Sequence, residues 1–486
     1  MPIELRDYQN RILDDLRAAF KGRRSVCLQL ETGGGKTAIA GKIAANLAKN
    51  THERRTVALM LVHRRELVHQ AWKTLDDFGL GKMTGIIAAG NPESPWAELQ
   101  IASIPTLVNR LGKLPWCDPR LIIVDEAHHA RATTWERILM NWPNARVLGL
   151  TATPMRLDGK GLGNLFDYLV CGPSMGELTA AGYLAKCDVY SLPVGTDLQS
   201  VKKVAGEYSR KEQSAASGKV VAKTLDSWER IASDTRTIVY SATTADSEDF
   251  ASRMRSRGYR AEHMDANTKP TMRTAIVNRF KTGATQILCN VEIVTEGFDV
   301  PECDCVLVRR KTASYGLWRQ MIGRCLRPKK DGRKALVIDG AGNYDEHGGP
   351  GEDVEWTLDY GAGDGKSIKK KKPKPRVCSK CRFVYKRTIN ACPACGHVPE
   401  NAVLDEVDVK LVRRDGRKPR QKAPRKRKAA APAKVVNSRV FLTYGNRQQM
   451  EEIAAEYGYN PYVVRHWEKL FASAWERALA RQDRIG

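Results

Sequence analysis

Short apolar runs alternate with segments of helical periodicity over the first 345 residues. The runs are rich in Val, Ile and Leu, which is typical of buried strands, whereas the segments place apolar side chains three and four residues apart, as a helix does. Strands are predicted at 25–30, 56–62, 121–124, 146–150, 237–240, 286–289, 304–308 and 335–338. Helices are predicted at 36–49, 65–78, 246–257, 271–281 and 314–325. The alternation indicates an α/β fold with parallel sheets covered by helices on both faces.

The alternation occurs in two blocks, which predict two tandem lobes at 1–185 and 225–345. The stretch between them, 186–224, is polar and poorly periodic, and we interpret it as a connecting or inserted segment that moves. Beyond the second lobe the composition changes repeatedly. We predict a Gly/Lys-rich linker at 346–376, a cysteine module at 377–400, a basic linker at 401–440 and a small helical pair at 441–486.

Positive charge is concentrated in one part of the chain. The 80 Lys and Arg exceed the 55 Asp and Glu by 25, and residues 366–434 alone carry +18 of that excess. Such an excess favours a polyanionic partner, either nucleic acid or an acidic membrane surface. No apolar run approaches the ~18 residues of a membrane span, and the first residues lack the apolar segment of a signal peptide. We therefore expect no membrane association and a cytoplasmic location, where the twelve cysteines stay reduced.

A phosphate-binding loop is predicted at 31–37, ETGGGKT, between a buried strand and a helix. Glycines let backbone N–H groups approach phosphate oxygens, and the helix N-terminus adds partial positive charge. Lys36 is expected to reach the β- and γ-phosphates of ATP, and the Thr37 hydroxyl to hold Mg²⁺. Leu30 stands where the longer loop pattern has its first glycine, so the match is to the shorter TGxGKT form, and a bare glycine turn is the alternative. The loop glycines are Gly33, Gly34 and Gly35.

Two adjacent carboxylates, Asp125 and Glu126, follow the strand predicted at 121–124. Side chains at the carboxyl ends of parallel strands point into the crevice where ligands bind. We expect Asp125 to hold Mg²⁺ through water and Glu126 to act as general base toward the attacking water. Acids at a helix N-terminus are the structural alternative. With a phosphate loop in the same sheet, His128 is expected to couple the two lobes at their interface.

One helix of the second lobe is predicted to bring positive charge to the nucleotide. Gln320, Arg324 and Arg327 are spaced i, i+4 and i+7, so they share a face of a continuous helix. If that face meets the first lobe, the two guanidinium groups reach the γ-phosphate and stabilise the charge that develops in phosphoryl transfer. Hydrolysis would then depend on closure of the lobes. A solvated basic face is the alternative.

Four cysteines form two CxxC pairs separated by ten residues: Cys378, Cys381, Cys392 and Cys395. Each pair aims two thiolates at one point, and four thiolates suit tetrahedral Zn²⁺. The pattern predicts a zinc ribbon whose folding is driven by the metal. Two reactive or disulfide pairs, and a site that uses His397 as a ligand, are the alternatives. Nearby Arg382, Tyr385, Lys386 and Arg387 indicate nucleic-acid binding, with a purely structural staple as the other interpretation.

The order of these features resembles the superfamily-two DEAD/DEAH-box helicases, most closely the RadD-like bacterial and phage members that carry a C-terminal cysteine module. The resemblance rests on RDYQ at 6–9, ETGGGKT at 31–37, LVHRREL at 61–67, ASIPTL at 102–107, DEAHH at 125–129, TATP at 151–154, TEGFDVP at 295–301 and QMIGRCLR at 320–327. It implies two RecA-like lobes that bind ATP and Mg²⁺. The cysteine module is shorter here than in RadD, with a single four-cysteine set.

The resemblance also implies roles for individual residues. Contacts to the nucleotide are implied for Arg6, Gln9, Gly297, Asp299 and Gln320. Contacts to a nucleic-acid backbone are implied for His63, Arg64, Thr106 and Thr295. Coupling of hydrolysis to lobe movement is implied for Thr151 and Thr153.

These observations together predict an ATP-dependent helicase or translocase that acts on nucleic acid, DNA more readily than RNA. The resemblance implies work in repair, recombination or remodelling of branched DNA, with a single-stranded-DNA-binding or other repair protein as a candidate partner. Two alternatives stay open at this stage. One is a nucleic-acid-binding module that uses ATP as a switch without separating strands, and the other is the motor subunit of a restriction system.

Overall fold

The computed structural model of the chain describes residues 4–49, 58–63, 66–129, 132–156, 160–192, 200–204, 206–293, 303–352, 354–359 and 375–399. All of them lie in one structural unit, Met1–Val407. The predicted alternation forms two parallel sheets covered by helices, which we call lobe 1 and lobe 2. This confirms the predicted fold class. The basic linker at 401–440, the helical pair at 441–486 and the middle of the linker at 346–376 lie outside the described residues.

Lobe 1 contains a seven-stranded parallel sheet with the strand order β3-β4-β2-β5-β6-β1-β7. Its strands are β1 (Ser25–Gln29), β2 (Ala58–Val62), β3 (Thr84–Ile87), β4 (Leu99–Ser103), β5 (Leu121–Val124), β6 (Arg146–Thr151) and β7 (Tyr168–Cys171). Its helices are α1 (Asp7–Gly22), α2 (Lys36–Lys49), α3 (Glu66–Asp77), α4 (Ile104–Arg110), α5 (Ala132–Asn141) and α6 (Met175–Ala180), with 3-10 turns at Gly81–Met83 and Ala127–His129. Every residue of β1, β2, β4 and β5 is buried, because helices cover both faces of the sheet.

Lobe 2 contains a six-stranded parallel sheet with the order β12-β13-β11-β14-β15-β8. Its strands are β8 (Cys187–Ser191), β11 (Thr237–Tyr240), β12 (Ala261–Met264), β13 (Ile287–Asn290), β14 (Cys305–Val308) and β15 (Ala335–Asp339), and a hairpin pairs β9 (Lys203–Val204) with β10 (Glu207–Tyr208). The helices are α7 (Arg210–Ala232), α8 (Thr244–Ser256), α9 (Pro270–Thr282), α10 (Tyr315–Gly323) and α11 (Asn343–His347). Within the described residues, no helix is both long and apolar enough to cross a membrane.

The structure corrects the interpretation of 186–224 as a separate connecting segment. β8 pairs in parallel with β15 and forms the edge of the lobe 2 sheet. The long helix α7 begins inside this stretch and packs Val221 into the core of the same lobe, next to Leu225 and Trp228 of the predicted lobe 2. The described residues of this stretch therefore belong to lobe 2. The polar composition was misleading because α7 buries Gln213, Ser217 and Thr224 as well as its apolar residues.

After α11 the chain turns back and reaches lobe 1. The indole of Trp318 on α10 donates to Gly348 O at 2.9 Å, which anchors the start of this stretch on lobe 2. Further along, Leu358 packs against the lobe 1 core, and Leu358 O accepts from Gly163 N at 2.9 Å. We call residues 348–352 and 354–359 the return segment. It links the two lobes on the side where α10 lies.

The cysteine module, residues 375–399, docks on the exposed edge of the lobe 2 sheet. A short antiparallel pair, β16 (Arg376–Val377) and β17 (Val384–Tyr385), forms its ribbon. Ser191 N of β8 donates to Arg382 O at 3.1 Å, and Arg382 Nε donates back to Ser191 O at 3.0 Å. The rings of Tyr190 and Phe383 meet edge to face at 5.4 Å. The module thus covers strand β8, whose unpaired backbone groups would otherwise face solvent.

Candidate nucleotide site between the lobes

The phosphate loop connects the end of β1 to the start of α2, as the sequence predicts. Gly33 and Gly35 have φ of +86° and +85°, a conformation that only glycine adopts without strain. Gly34 N donates to Glu31 O at 2.9 Å and closes the loop. Lys36 Nζ donates to Leu30 O at 3.1 Å, so its ammonium group lies back toward the start of the loop.

Gln9, one of the residues implied to contact the nucleotide, contacts the phosphate loop itself. Gln9 Nε2 donates to Gly34 O at 3.1 Å, and Gln9 Oε1 accepts from Arg6 N at 3.0 Å. Tyr8 Oη donates to the same Gly34 O at 2.7 Å. The Arg6 guanidinium lies over the ring of Tyr183, 4.8 Å from its centroid. Tyr8 and Tyr183 had no separate signal in the sequence, although Tyr8 lies inside the RDYQ string.

The acidic pair lies at the carboxyl end of β5, on the same edge of the sheet as the phosphate loop. Burial, and to a smaller extent the neighbouring Glu126, raise the pKa of Asp125 to about 6, and the Lys36 ammonium opposes the increase. That electrostatic contact places the lysine and the carboxylates in one site. Glu126 has φ of +48°, which is strained for a side chain with a Cβ and is expected to cost about 1–3 kcal/mol. Strain of this kind is concentrated at functional sites.

A hydrogen-bonded chain connects this pair to lobe 2 through His128. Thr151 Oγ1 donates to Thr153 O at 2.8 Å, so at 3.0 Å it accepts from His128 Nδ1–H. The imidazole Nε2 is then an acceptor, and it lies 3.3 Å from the Nε2 amide of Gln320 on α10. His128 Nδ1 also lies 3.5 Å from Glu126 Oε2. One imidazole therefore contacts the acidic pair, the Thr151–Thr153 turn and the opposite lobe.

The arginine helix differs from the prediction in its length. α10 ends at Gly323 and Arg324 is its C-cap, so Arg327 lies beyond the helix. The prediction that Gln320, Arg324 and Arg327 share one face of a continuous helix is therefore wrong. The C-terminal end of α10 nevertheless packs on the phosphate loop, because a Cβ added at Gly323 would lie 2.8 Å from Thr32 Cβ. Burial raises the pKa of Tyr240, and the positive charge of Arg324 partly opposes this, which places the guanidinium near the carboxyl end of β11.

Two of the residues implied to contact nucleic acid lie at the carboxyl edge of the lobe 1 sheet. His63 follows β2, and its ring stacks on His129 with centroids 4.5 Å apart. Thr106 lies in the first turn of α4 after β4, with its Oγ1 3.3 Å from Ser103 Oγ. β2 and β4 are neighbouring strands, so both residues lie on one rim. Arg64, Thr295, Gly297 and Asp299 lie outside the described residues.

The four cysteines of the module converge on one point. The Sγ atoms of Cys378 and Cys395 are 3.7 Å apart, those of Cys381 and Cys392 are 3.6 Å apart, and all four lie within 4.8 Å of one another. Tetrahedral bonds of ~2.3 Å to zinc imply sulfur separations of about 3.8 Å, which these thiols fit. The alternative ligand His397 instead has its Nε2 2.8 Å from Ser379 Oγ.

The module uses its cationic and aromatic residues unequally. Arg382 is committed to β8, and Tyr385 is buried among the cysteines. Lys386 and Arg387 directly follow β17 and are exposed. Of the four side chains that indicated nucleic-acid binding, two are thus available to a ligand and two hold the module together or to lobe 2.

Two parallel-sheet lobes that meet at a phosphate loop, an acidic pair and an arginine-bearing helix define a two-lobed, RecA-like ATP hydrolase. The family described as "Type III restriction enzyme, res subunit" matches residues 2–156. The "Helicase conserved C-terminal domain" matches residues 219–329. The chain belongs to the superfamily-two helicases, as its motifs predicted.

Individual relatives are similar over both lobes. The chain is 29% identical to the "51.5 kDa protein" of Lactococcus phage (isolate 7-9), over 76% of this chain and 77% of the phage protein. It is 30% identical to IRC3 of Saccharomyces cerevisiae (strain ATCC 204508 / S288c), named as a candidate ATP-dependent helicase, over 69% of this chain and 51% of IRC3. It is 27% identical to "DNA 3'-5' translocase XPB2" of Sulfurisphaera tokodaii, over 69% of this chain and 81% of XPB2. The chain therefore spans about half the length of the yeast relative.

Solved structures share the fold. A fragment of a candidate HsdR subunit of a type I restriction enzyme from Vibrio vulnificus YJ016 superposes with a TM-score of 0.56 at 20% identity, covering 71% of this chain and 65% of that chain. The Type ISP restriction-modification enzyme LlaBIII bound to DNA superposes with a TM-score of 0.51 at 17% identity, covering 69% of this chain and 28% of that one. At such identities the likeness shows the fold alone.

Proposed function

We propose that this protein is an ATP-driven DNA translocase or helicase whose lobes close on ATP and open after its hydrolysis. The observation that carries the proposal is the contact of Gln320 with His128, which joins lobe 2 to the acidic pair of lobe 1. A group that contacts the hydrolytic carboxylates and the opposite lobe links lobe position to the state of the nucleotide. Movement between the lobes then displaces whatever strand is bound across them.

The proposed roles are those that the sequence motifs imply. Lys36 and Thr37 bind the phosphates and Mg²⁺, Asp125 holds Mg²⁺ through water, and Glu126 polarises the attacking water. Arg324 and Arg327 supply positive charge from lobe 2. The proposed contacts to the nucleotide are Arg6, Gln9, Gly33, Gly34, Gly35, Gln320, Gly297 and Asp299. The proposed contacts to the strand are His63, Arg64, Thr106 and Thr295, and the proposed coupling residues are His128, Thr151 and Thr153.

DNA is the favoured substrate for two reasons. XPB2 is named as a DNA translocase, and the LlaBIII structure is bound to DNA. The chain itself concentrates +18 of its net +25 charge in residues 366–434, and the exposed Lys386 and Arg387 lie in that stretch. Such a region binds phosphates without reading sequence, and its affinity falls steeply as salt rises. We propose repair, recombination or branched-DNA remodelling as the setting, with a single-stranded-DNA-binding or other repair protein as a candidate partner.

DNA is expected to stimulate ATP hydrolysis by the full chain. The measurement is steady-state ATPase activity with no nucleic acid, and with single-stranded, duplex and forked DNA and matched RNA. Stimulation by at least one DNA, weakened as salt is raised from 50 to 200 mM, follows from phosphate contacts across both lobes. Equal hydrolysis in the absence and presence of every nucleic acid would contradict the proposed function.

A chain ending after residue 400 separates a motor from an ATP-switched binding module. This truncation keeps the cysteine module on β8, so the edge of lobe 2 stays covered, and it removes residues 401–434, which carry +8 of the +18 in 366–434. A motor keeps DNA-stimulated ATPase activity, with weaker DNA affinity. A binding module that relies on the basic region loses its DNA interaction together with the stimulation.

The motor subunit of a restriction system is a second candidate, favoured by the match of residues 2–156 to a restriction-enzyme family. Such a motor acts on duplex DNA and depends on a nuclease for cleavage. Stimulation that requires duplex DNA, together with triplex displacement and no unwinding of forks, would favour this candidate. Unwinding of tailed or forked DNA by the purified chain alone would favour the helicase.

We propose that the four cysteines bind one Zn²⁺ and that the metal secures the module to lobe 2. Replacing Cys392 by Ser is expected to remove about one zinc per chain in elemental analysis and to lower the melting temperature, because folding of so small a segment depends on the metal. Cys171→Ser is the matched control, since Cys171 is exposed and lies outside the cluster. Full zinc content in Cys392→Ser would exclude this ligand set.

A further inference from the structure

A buried ion pair crosses the lobe interface beside the phosphate loop. Arg319 Nη2 on α10 lies 3.0 Å from Glu31 Oε1, and their side chains are only 2% and 3% exposed. Glu31 is the first residue of the loop string, and its carbonyl accepts the Gly34 N–H that closes the loop. The pair is therefore attached to the loop on one side and to the arginine helix on the other.

The return segment fixes the arginine in this position. Arg319 Nη1 lies 3.4 Å from Gly349 O and 3.3 Å from Pro350 O, both in that segment. Leu358 of the same segment is anchored on lobe 1. The guanidinium thus bridges a carboxylate of lobe 1 and carbonyls of a segment that itself spans the lobes. A lysine could not reproduce this fork of donors.

The energetics tie the pair to lobe closure. Two buried charges repay their desolvation only when they meet in good geometry, and one of them alone is strongly unfavourable. The Glu31–Arg319 contact exists while α10 lies against the loop, and separation of the lobes would return both groups to water. A change in the position of Arg319 therefore alters the contact with Glu31, and through Glu31 it affects the loop that contains Lys36.

We propose that Arg319 is a positioning residue for ATP hydrolysis. Through Glu31 it holds the phosphate loop in register with α10, so that the loop lysine and the arginine at the end of α10 face the same phosphate. Arg319 touches neither the reacting atoms nor the acidic pair. Its effect is expected on turnover and much less on the KM for ATP, because misplacement of catalytic groups by as little as 1 Å lowers turnover by up to roughly 10²-fold.

The test is a double-mutant cycle on the full-length chain with Glu31→Gln, Arg319→Gln and the double variant, measured as ATP turnover, KM for ATP and melting temperature. Each single variant is expected to lose roughly 10- to 100-fold in kcat with KM little changed, and the double variant to lose about as much as the worse single variant. Arg319→Lys, which keeps the charge and loses the fork, is expected to fall between Arg319→Gln and the unchanged protein. The cycle can be run on basal ATPase activity, so it does not depend on whether DNA stimulates the protein.

A second buried pair provides the matched control. Arg309 Nη2 and Asp246 Oδ1 are 2.8 Å apart and equally buried, but both belong to lobe 2. Arg309→Gln is expected to lower the melting temperature and leave kcat and KM unchanged. If an Arg319 or Glu31 single variant does not fold, the double variant decides, because it leaves no lone buried charge. Wild-type turnover in the folded double variant, or losses that are additive across the cycle, would overturn the proposal.

Discussion

Replacing Glu126 by Gln is expected to slow ATP hydrolysis severely while ATP binding persists. The expected loss of kcat is about 10²- to 10⁴-fold, the range that a positioned general base contributes. The substitution removes the basic oxygen, keeps the size of the side chain and leaves the strained backbone at φ +48° unchanged. Turnover and the affinity for a fluorescent ATP analogue should be measured on the same preparation, so that chemistry and binding are separated.

Two further variants make this result specific. Lys36→Ala is expected to lose nucleotide affinity as well as turnover, since the ammonium group lies at the loop that receives the phosphates. Glu98→Gln is the matched control. Glu98 lies in the same lobe but at the amino-terminal end of the strands, opposite the acidic pair, where its carbonyl accepts from Ala58 N at the start of β2. A Glu126→Gln protein that hydrolyses ATP at the wild-type rate would remove this carboxylate from the mechanism.

The sequence predicted those parts of the molecule whose signals are local. The predicted helix at 36–49 coincides with α2, and the strands predicted at 121–124 and 237–240 coincide with β5 and β11. A fully buried strand appears in the sequence as an unbroken apolar run. A glycine-rich string between a strand and a helix specifically indicates a phosphate-binding loop. The cysteine spacing is also a local signal, because two CxxC pairs predict four thiols that meet at one metal site. The structure brings these four thiols together.

The features that the sequence could not predict depend on contacts distant along the chain. Arg319 and Glu31 are 288 positions apart, and no local sequence pattern around either residue indicates that they form a pair. β8 is a five-residue edge strand that is only partly buried, so it lacks the apolar run of the central strands. The early end of α10 at Gly323 and the separation of Arg327 from it could not be read from the i, i+4, i+7 spacing, because that spacing assumes the helix continues.

This shorter helix changes the expectation for the two arginines. Arg324 caps α10 next to Gly323, whose backbone contacts Thr32 of the phosphate loop. Arg327 lies three residues further on, where the carbonyl of the preceding Leu326 is held by Ala185 N at 2.8 Å. Arg324 is therefore the better placed of the two to act on a phosphate bound in the loop.

Arg324→Ala is expected to lower kcat by about 10³- to 10⁵-fold, the contribution of an arginine that neutralises charge in the transition state of phosphoryl transfer. KM for ATP should change much less, because the ground-state phosphates are already held by the loop on lobe 1. Arg324→Lys should recover little of the loss, since a lysine cannot present the planar pair of donors. The measurement is steady-state ATPase activity across an ATP titration, with melting temperatures as a check on folding.

Arg253→Ala is the control on lobe 2, because Arg253 is exposed and pairs only with Asp249 one turn away on α8 among the described residues. It should hydrolyse ATP at the wild-type rate. A loss of equal size in Arg327→Ala would mean that the turn after α10 closes further when ATP binds, so that both guanidinium groups reach the phosphate. Wild-type turnover in Arg324→Ala would instead mean that this arginine contributes no charge to the reaction, and that lobe 2 acts on hydrolysis through contacts such as Gln320–His128 and Arg319–Glu31.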